Sequence, residues 1–450
     1  MDPTSMIVDH SRIGAAFRRL SIPVAIQILG DQLLGTVDTI AIGSLGFVAL
    51  AGATAANTIF VAIVFVASGF LSGTSIVAAQ RIGAGDVDGF ARTVRAGVAL
   101  PMLVGLTCFA ASLFGAGPSL HALVGSLPSA HASSIYLILR CASILPIVIS
   151  GSLIVGLGAA GNRQLGILVL VIVNLIHIPL LLMLGLGWWT HHPYGIVGAG
   201  VSSLLSETIA AGYALLYTAR RPEYRIFAKL DFSPQLAQRT ALLGLPEAIF
   251  LLGVTVPDIV IVALLAPLGA IAVAAFRALN IVSDLTFVVP SPLQSATQIV
   301  IGQRLGARDP AGARSFFERS LRFSLIVTTV AGAVVAALAW PLAYLFTLDA
   351  AVASIAALPL ALHMVTLPLK GWAMVSLAPI RASGDTRFSM TVGIICGALV
   401  IPLAWLGIER LNLGLYSVAL GWIVAWTARA LVTQWKLRDG AWMRREPLAA

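Results

Sequence analysis

Apolar residues run through this chain in long blocks, and short stretches between the blocks hold most of the charged residues. A hydrocarbon layer about 30 Å thick is crossed by roughly 20 apolar residues of helix. Twelve blocks reach that size: 20–45, 50–80, 95–116, 132–158, 165–187, 196–218, 242–266, 270–302, 321–346, 354–380, 389–408 and 414–435. Backbone amides and carbonyls in lipid must be bonded within their own segment, so the pattern predicts twelve transmembrane helices, an all-α polytopic membrane protein. The first block follows Asp2, Asp9, Arg12, Arg18 and Arg19 and runs past Ile42 with no small-residue cleavage pattern. It reads as a retained helix and not as a signal peptide.

Composition supports this. Hydrophobic residues make up 58% of the 450 and charged residues 10%, against about 45–50% and 25% in soluble proteins. The net charge of +9 would suit a nucleic-acid partner, but its placement argues otherwise. Arg81, Arg92 and Arg95, then Arg163, then Arg220, Arg221, Arg225, Lys229 and Arg239, then Arg304, Arg308, Arg314, Arg319 and Arg322, then Arg381 and Arg387, and finally Lys436, Arg438, Arg444 and Arg445 all fall in alternate loops. The intervening loops hold Arg410 and otherwise His121, His191, His192, Asp349 and Glu409. The positive-inside rule puts the basic set and both termini in the cytoplasm, which accounts for the charge without nucleic acid. Cys108, Cys141 and Cys396 lie within apolar runs and suggest no disulfide or zinc framework. No phosphate-binding glycine loop is present, so neither direct ATP coupling nor an ATP-binding subunit is implied.

A shift of 223 residues aligns Pro23 with Pro246, Leu45-Gly46 with Leu268-Gly269, Asn57 with Asn280, Gln80-Arg81 with Gln303-Arg304, and Asp86 with Asp309, and carries on to Gly384 and Pro402. Helices 1–6 and 7–12 are thus two copies of one unit with the same membrane orientation. The expected organisation is an N-terminal six-helix lobe over 1–218, a basic cytoplasmic linker over 219–240 and a C-terminal six-helix lobe over 241–450. Pseudo-symmetric bundles around a midplane cavity are a transporter architecture, and the expected cavity is V-shaped and open to one side.

Val37-Asp38-Thr39-Ile40 late in helix 1, Ala79-Gln80-Arg81-Ile82-Gly83-Ala84-Gly85-Asp86 closing helix 2, its second copy Gly302-Gln303-Arg304-Leu305-Gly306-Ala307, Pro290, and Arg381-Ala382-Ser383-Gly384-Asp385-Thr386 together resemble the multidrug and toxic compound extrusion (MATE) family. The resemblance covers nearly the whole chain. It implies a secondary antiporter of a bacterial inner membrane, without a cofactor, that exports bulky, often cationic compounds against protons or sodium ions. It also implies an essential carboxylate in helix 1, where Asp38 stands. A second family aspartate, four residues after an asparagine in helix 5, is missing: Asn174 is followed at that spacing by Ile178, preceded by His177. At the places nearest the acids that some members use in helices 7 and 10 stand Val254 and Lys370.

Ionisable side chains within a membrane are costly and mark either function or a structural pair. The first lobe holds Asp31, Asp38 and Glu207 against Arg140; the second holds Glu247, Asp258 and Asp284 against Arg277 and Lys370, with His363. Only the first has surplus acid. Asp31 and Asp38 are two turns apart, about 10 Å on one face, and Asp38, Asp31 and Glu207 are the ion-coupling candidates. Asn57, Arg140, Asn174, His177, Ser203, His363 and Lys370 are the cavity or substrate candidates. Beside these stand plainer readings: packing roles for Asp31 and Glu207, neutralisation of its lobe's acids by Arg140, a hydrogen-bonded filler for His177, and pairing of Lys370 with Asp284. Asp258 and Arg277 reach the same depth and are expected to form a structural ion pair. Phe60, Phe65, Phe70, Phe250, Phe276 and Phe287 read first as packed or lipid-facing aromatics. The expected function is proton-driven efflux by a monomer acting on small molecules in the bilayer. The alternatives are a sodium-coupled exporter of the same fold, a lipid-linked or polar metabolite exporter, and, from another class, a polytopic membrane enzyme.

Overall fold

The computed structural model describes residues 13–124, 130–189, 192–229, 231–445 and 448; Asp2, Asp9, Arg12 and His191 lie outside the described residues. Among the described residues, eleven helices are long and apolar enough to cross a membrane. They are α1 (Phe17–Gly43), α2 (Phe47–Gly83), α3 (Val87–Ala122), α4 (His131–Ala159), α5 (Gln164–Gly185), α6 (Gly195–Ala219), α7 (Pro234–Leu268), α8 (Ala270–Gly306), α9 (Pro310–Ala337), α11 (Thr386–Arg410) and α12 (Leu415–Leu437). The twelfth, α10, is the pair Ala350–His363 and Thr366–Ala382, bent by 40°.

Prolines set the breaks. A proline lacks the amide that would bond the carbonyl four residues back, and its ring crowds that carbonyl. The position four before Pro368 is Met364, where α10 bends; helical segments likewise stop at Gly97, Gly253, Thr286 and Ala398, four before Pro101, Pro257, Pro290 and Pro402. The span expected over 354–380 carries Pro368 inside it, which accounts for the bend.

The repeat recurs in backbone detail. The bounds of α2 and α8, Phe47–Gly83 and Ala270–Gly306, differ by the same 223 residues as their sequences. Gly46 and Gly269 have φ of 108° and 100°, and Gly161 and Gly384 have 82° and 87°. In each copy an aspartate opens the third span: Asp86 accepts from the Gly89 amide at 2.7 Å and Asp309 from the Gly312 amide at 2.8 Å, while Arg81 and Arg304 pair with these same carboxylates.

The chain forms two compact units. The first comprises Ile22–Ala248; the second comprises Ile249–Leu448 together with residues 13–21. This moves the boundary expected at 241, and it places the start of α1 with the second half of the sequence. Phe17 and Leu20 are buried in a cluster with Leu293, Val300 and Phe316, Phe17 stacks on Phe323 with ring centres 5.0 Å apart, and the Ser21 hydroxyl donates to the Pro292 carbonyl at 3.2 Å. The start of α7 makes the reciprocal exchange. A Cβ at Gly69 or Gly73 of α2 would run into the backbone of Ala248, Thr240 and Gly244, so glycine is what permits this approach. The first unit's core gathers Ala56, Phe60, Leu137, Ile144 and Val148; the second gathers Phe276, Leu279, Ala356, Leu360 and Val418.

Candidate functional site

In the first unit, α1 and α5 bring together two ionisable groups distant in sequence. The Nε2 of His177 lies 2.6 Å from Oδ1 of Asp38. The imidazole is 2% exposed and the carboxylate 20%, so the pair is fixed by packing on one side and open on the other. His177 is followed by Pro179 and by a widened turn over Leu181–Gly185, the kind of irregular helix often found at functional positions. Three residues before His177, the Asn174 amide nitrogen donates to Leu170 at 2.9 Å, leaving its buried oxygen without a hydrogen-bond partner.

Around this pair, Glu207 of α6 is within electrostatic reach of Arg140, Asp31 and His177. Arg140 of α4 lies over the Phe60 ring, 3.8 Å from its centre, and its Nη2 donates to the Asn57 oxygen at 3.4 Å. The three candidate coupling acids, Asp38, Asp31 and Glu207, therefore share a unit with Arg140, Asn57, Asn174 and His177. Ser203 differs: its buried hydroxyl donates to the Ala199 carbonyl at 3.2 Å, within its own helix.

The second unit holds a separate cluster. Lys370 and His363 flank the bend of α10, and both are 2% exposed. Lys370 Nζ donates to Ser283 Oγ at 2.9 Å and lies 4.3 Å from the centre of the Phe287 ring. Asp284 and Asp258 are within its electrostatic reach, but the direct partner is Ser283 in place of the expected Asp284. The expected Asp258–Arg277 ion pair does not form: no direct ion pair joins the two among the described residues. Arg277 acts on both Asp258 and Asp284 through the field alone, and one buried oxygen of Asp258 has no hydrogen-bond partner. Arg277 is exposed where Asp258 is half-buried, so their side chains do not share one environment.

The ionisable members of both clusters were named from sequence, but Ser283 and Trp426 were not, and three contacts were missed: Asp38 with His177, Arg140 with Phe60, and Lys370 with Ser283, Phe287 and Trp426. One signal was available. His177 stands beside the position where the resembled family carries its second acid, so a titratable group persists there in another form. Among the described residues no three His, Cys, Asp or Glu side chains converge on a metal-sized site.

Comparison with known proteins agrees with this architecture. The model of the MatE family matches twice, over residues 23–183 and 246–406, two stretches with the offset of the internal repeat. A probable multidrug resistance protein NorM of Aromatoleum aromaticum is 28% identical over 347 residues, covering 74% of this chain and 73% of that one. A FAD transporter of Shewanella oneidensis is 28% identical over 347 residues, covering 75% of each. The solved outward-facing structure of a multidrug resistance MATE family transporter superposes with a TM-score of 0.86 at 22% identity, over 95% of this chain and 96% of its own, which shows the shared fold. With both halves matched by the family model, this multi-pass membrane protein is a member of the MatE family of transporters and not an enzyme.

Proposed function

We propose that the chain is a secondary antiporter of a bacterial inner membrane, acting as a monomer, that expels bulky cationic or amphipathic compounds in exchange for protons by alternating access. The observation that carries this reading is the 2.6 Å contact between Asp38 and His177. A carboxylate and an imidazole at that distance share a proton, and the part of Asp38 left open can meet a cation. Proton and cationic substrate then compete for one carboxylate, which is the requirement for exchange. The relative named as a multidrug resistance protein supports this substrate class.

A second reading is favoured by one observation. The Arg140 guanidinium, held over Phe60, suits a flat anionic compound, and one relative is named a FAD transporter. The test uses the purified full-length protein in sodium-free vesicles. Ethidium efflux driven by an imposed pH gradient supports the first reading. Efflux that follows a sodium gradient alone moves the coupling to sodium, and transport of FAD without ethidium supports the second reading.

A further inference from the structure

The cluster in the second unit has a different chemistry from Asp38 and His177. Ser283 of α8 bridges the two sides of the α10 bend: its Oγ is 2.9 Å from Lys370 Nζ and 3.0 Å from His363 Nε2. An ammonium has only hydrogens to offer, so the serine oxygen accepts from Lys370. Its own hydrogen can then go to His363 Nε2. If Nε2 carried the hydrogen instead, the serine would accept twice, leaving both its own proton and the Nδ1 lone pair without a partner. The chain Lys370 to Ser283 to His363 leaves one group unpaired, the Nδ1–H of His363, and buried Nδ1 indeed has no hydrogen-bond partner. Buried polar groups are nearly always satisfied, and the form with hydrogen on Nδ1 leaves the fewest groups without a partner.

We propose that Lys370, Ser283 and His363 form a second proton-exchange site, in the C-terminal lobe, that holds one positive charge in either of two places. In the first state Lys370 is an ammonium against Phe287, with Trp426 at 6.0 Å. To reach the second, Lys370 passes a proton to Ser283 Oγ while the serine passes its own to His363 Nε2. The products are a neutral amine, an unchanged hydroxyl and an imidazolium with hydrogen on both nitrogens. Charging both ends at once would put two buried like charges on one hydroxyl. The surrounding charged and titratable groups are Asp284 and Arg277 on α8, Asp258 on α7, and Arg429 on α12, which lies over Trp426 at 5.0 Å and acts on Cys396 of α11. Because His363 and Lys370 sit on opposite sides of the bend at Met364, a change in that angle alters the hop distance and ties the proton's position to the shape of α10.

Its role in transport rests on the antiport reading; the sharing of the proton does not. The test is therefore nitrogen NMR of the histidine-labelled full-length protein in lipid nanodiscs, with His363 assigned by His363→Gln. The wild type shows a neutral His363 with hydrogen on Nδ1 at pH 7. In Lys370→Met the charge has only one place to go, and the imidazolium fraction of His363 at pH 6.5 rises at least tenfold. Ser283→Ala, the milder substitution, removes the fixed preference for the Nδ1–H form. An unchanged His363 signal in both variants, or hydrogen on Nε2 in the wild type, overturns the proposal. A wild type that shows these signals yet fails to exchange ethidium for protons removes the antiport reading and leaves the site.

Discussion

The imidazole of His177 reaches across from α5 to the Asp38 carboxylate on α1 at 2.6 Å, so the carboxylate proposed for coupling in the first lobe has an ionisable partner. Hydrogen bonds to charged groups contribute roughly 1.5–3 kcal/mol, and one partner left alone in a buried pair is destabilising. This predicts non-additivity. Measured by unfolding in detergent, Asp38→Ala and His177→Ala together cost less than the sum of the single changes, with a coupling of about 1–3 kcal/mol. Additive losses would show that the contact contributes nothing to stability.

The glycines of α2 make a second prediction. A Cβ at Gly73 meets the Thr240 carbonyl and the Gly244 amide, both backbone atoms that cannot rotate aside. Gly73→Ala should therefore cost about 1–3 kcal/mol through overpacking, read as a lower melting temperature. Gly115, with nothing within 4 Å of its Cβ position, is the control, and Gly115→Ala should leave stability unchanged or slightly higher. Equal effects at the two positions would contradict the close approach of α2 and α7.

The repeat supplies a third. Gly85 and Arg308 occupy equivalent positions with φ of 73° and 56°, a region that costs residues other than glycine about 1–2 kcal/mol. Gly85→Ala should destabilise by about 1 kcal/mol and Arg308→Gly should not. Burial raises the Asp86 carboxyl beside this turn, but the Gly89 amide and the Arg81 guanidinium outweigh burial and hold it below the usual carboxylate range. A depressed folded value means that its contribution is complete above the ordinary carboxylate range near pH 4 and fades as pH falls through the lowered value. Asp86→Asn should weaken the protein near neutrality and flatten its stability profile on the acid side. A profile identical to the wild type would remove Asp86 from the account.

Much of this was legible in sequence because membrane folding is governed by length and periodicity. Twelve apolar blocks gave the spans, and the 223-residue offset gave the two copies with their matching Asp86 and Asp309 turns. Bends were legible as well, since Pro101, Pro257, Pro290, Pro368 and Pro402 stand inside the apolar blocks, and each lies four residues after a break. What was hidden depends on rotation about helix axes. Pro23 and Pro246 mark the repeat, but nothing in their pattern tells that residues 13–21 join the second unit while Thr240–Ala248 stay with the first. Similarly, Asp258 and Arg277 share a depth, yet depth does not fix which face each side chain takes. Ser283 holds Lys370, a neutral partner that a count of charges does not find.

Proton exchange is assigned above all to Asp38, and Asp38→Asn tests it most directly. The amide keeps the size of the side chain and can still bond His177, so the protein should fold, but it cannot hold an exchangeable proton. In sodium-free vesicles with an imposed pH gradient, the wild type should expel ethidium and Asp38→Asn should fall at least a hundredfold, to the level of empty vesicles, about 3 kcal/mol at 1.4 kcal/mol per factor of ten. Efflux by the variant at the wild-type rate would contradict proton exchange at this carboxylate.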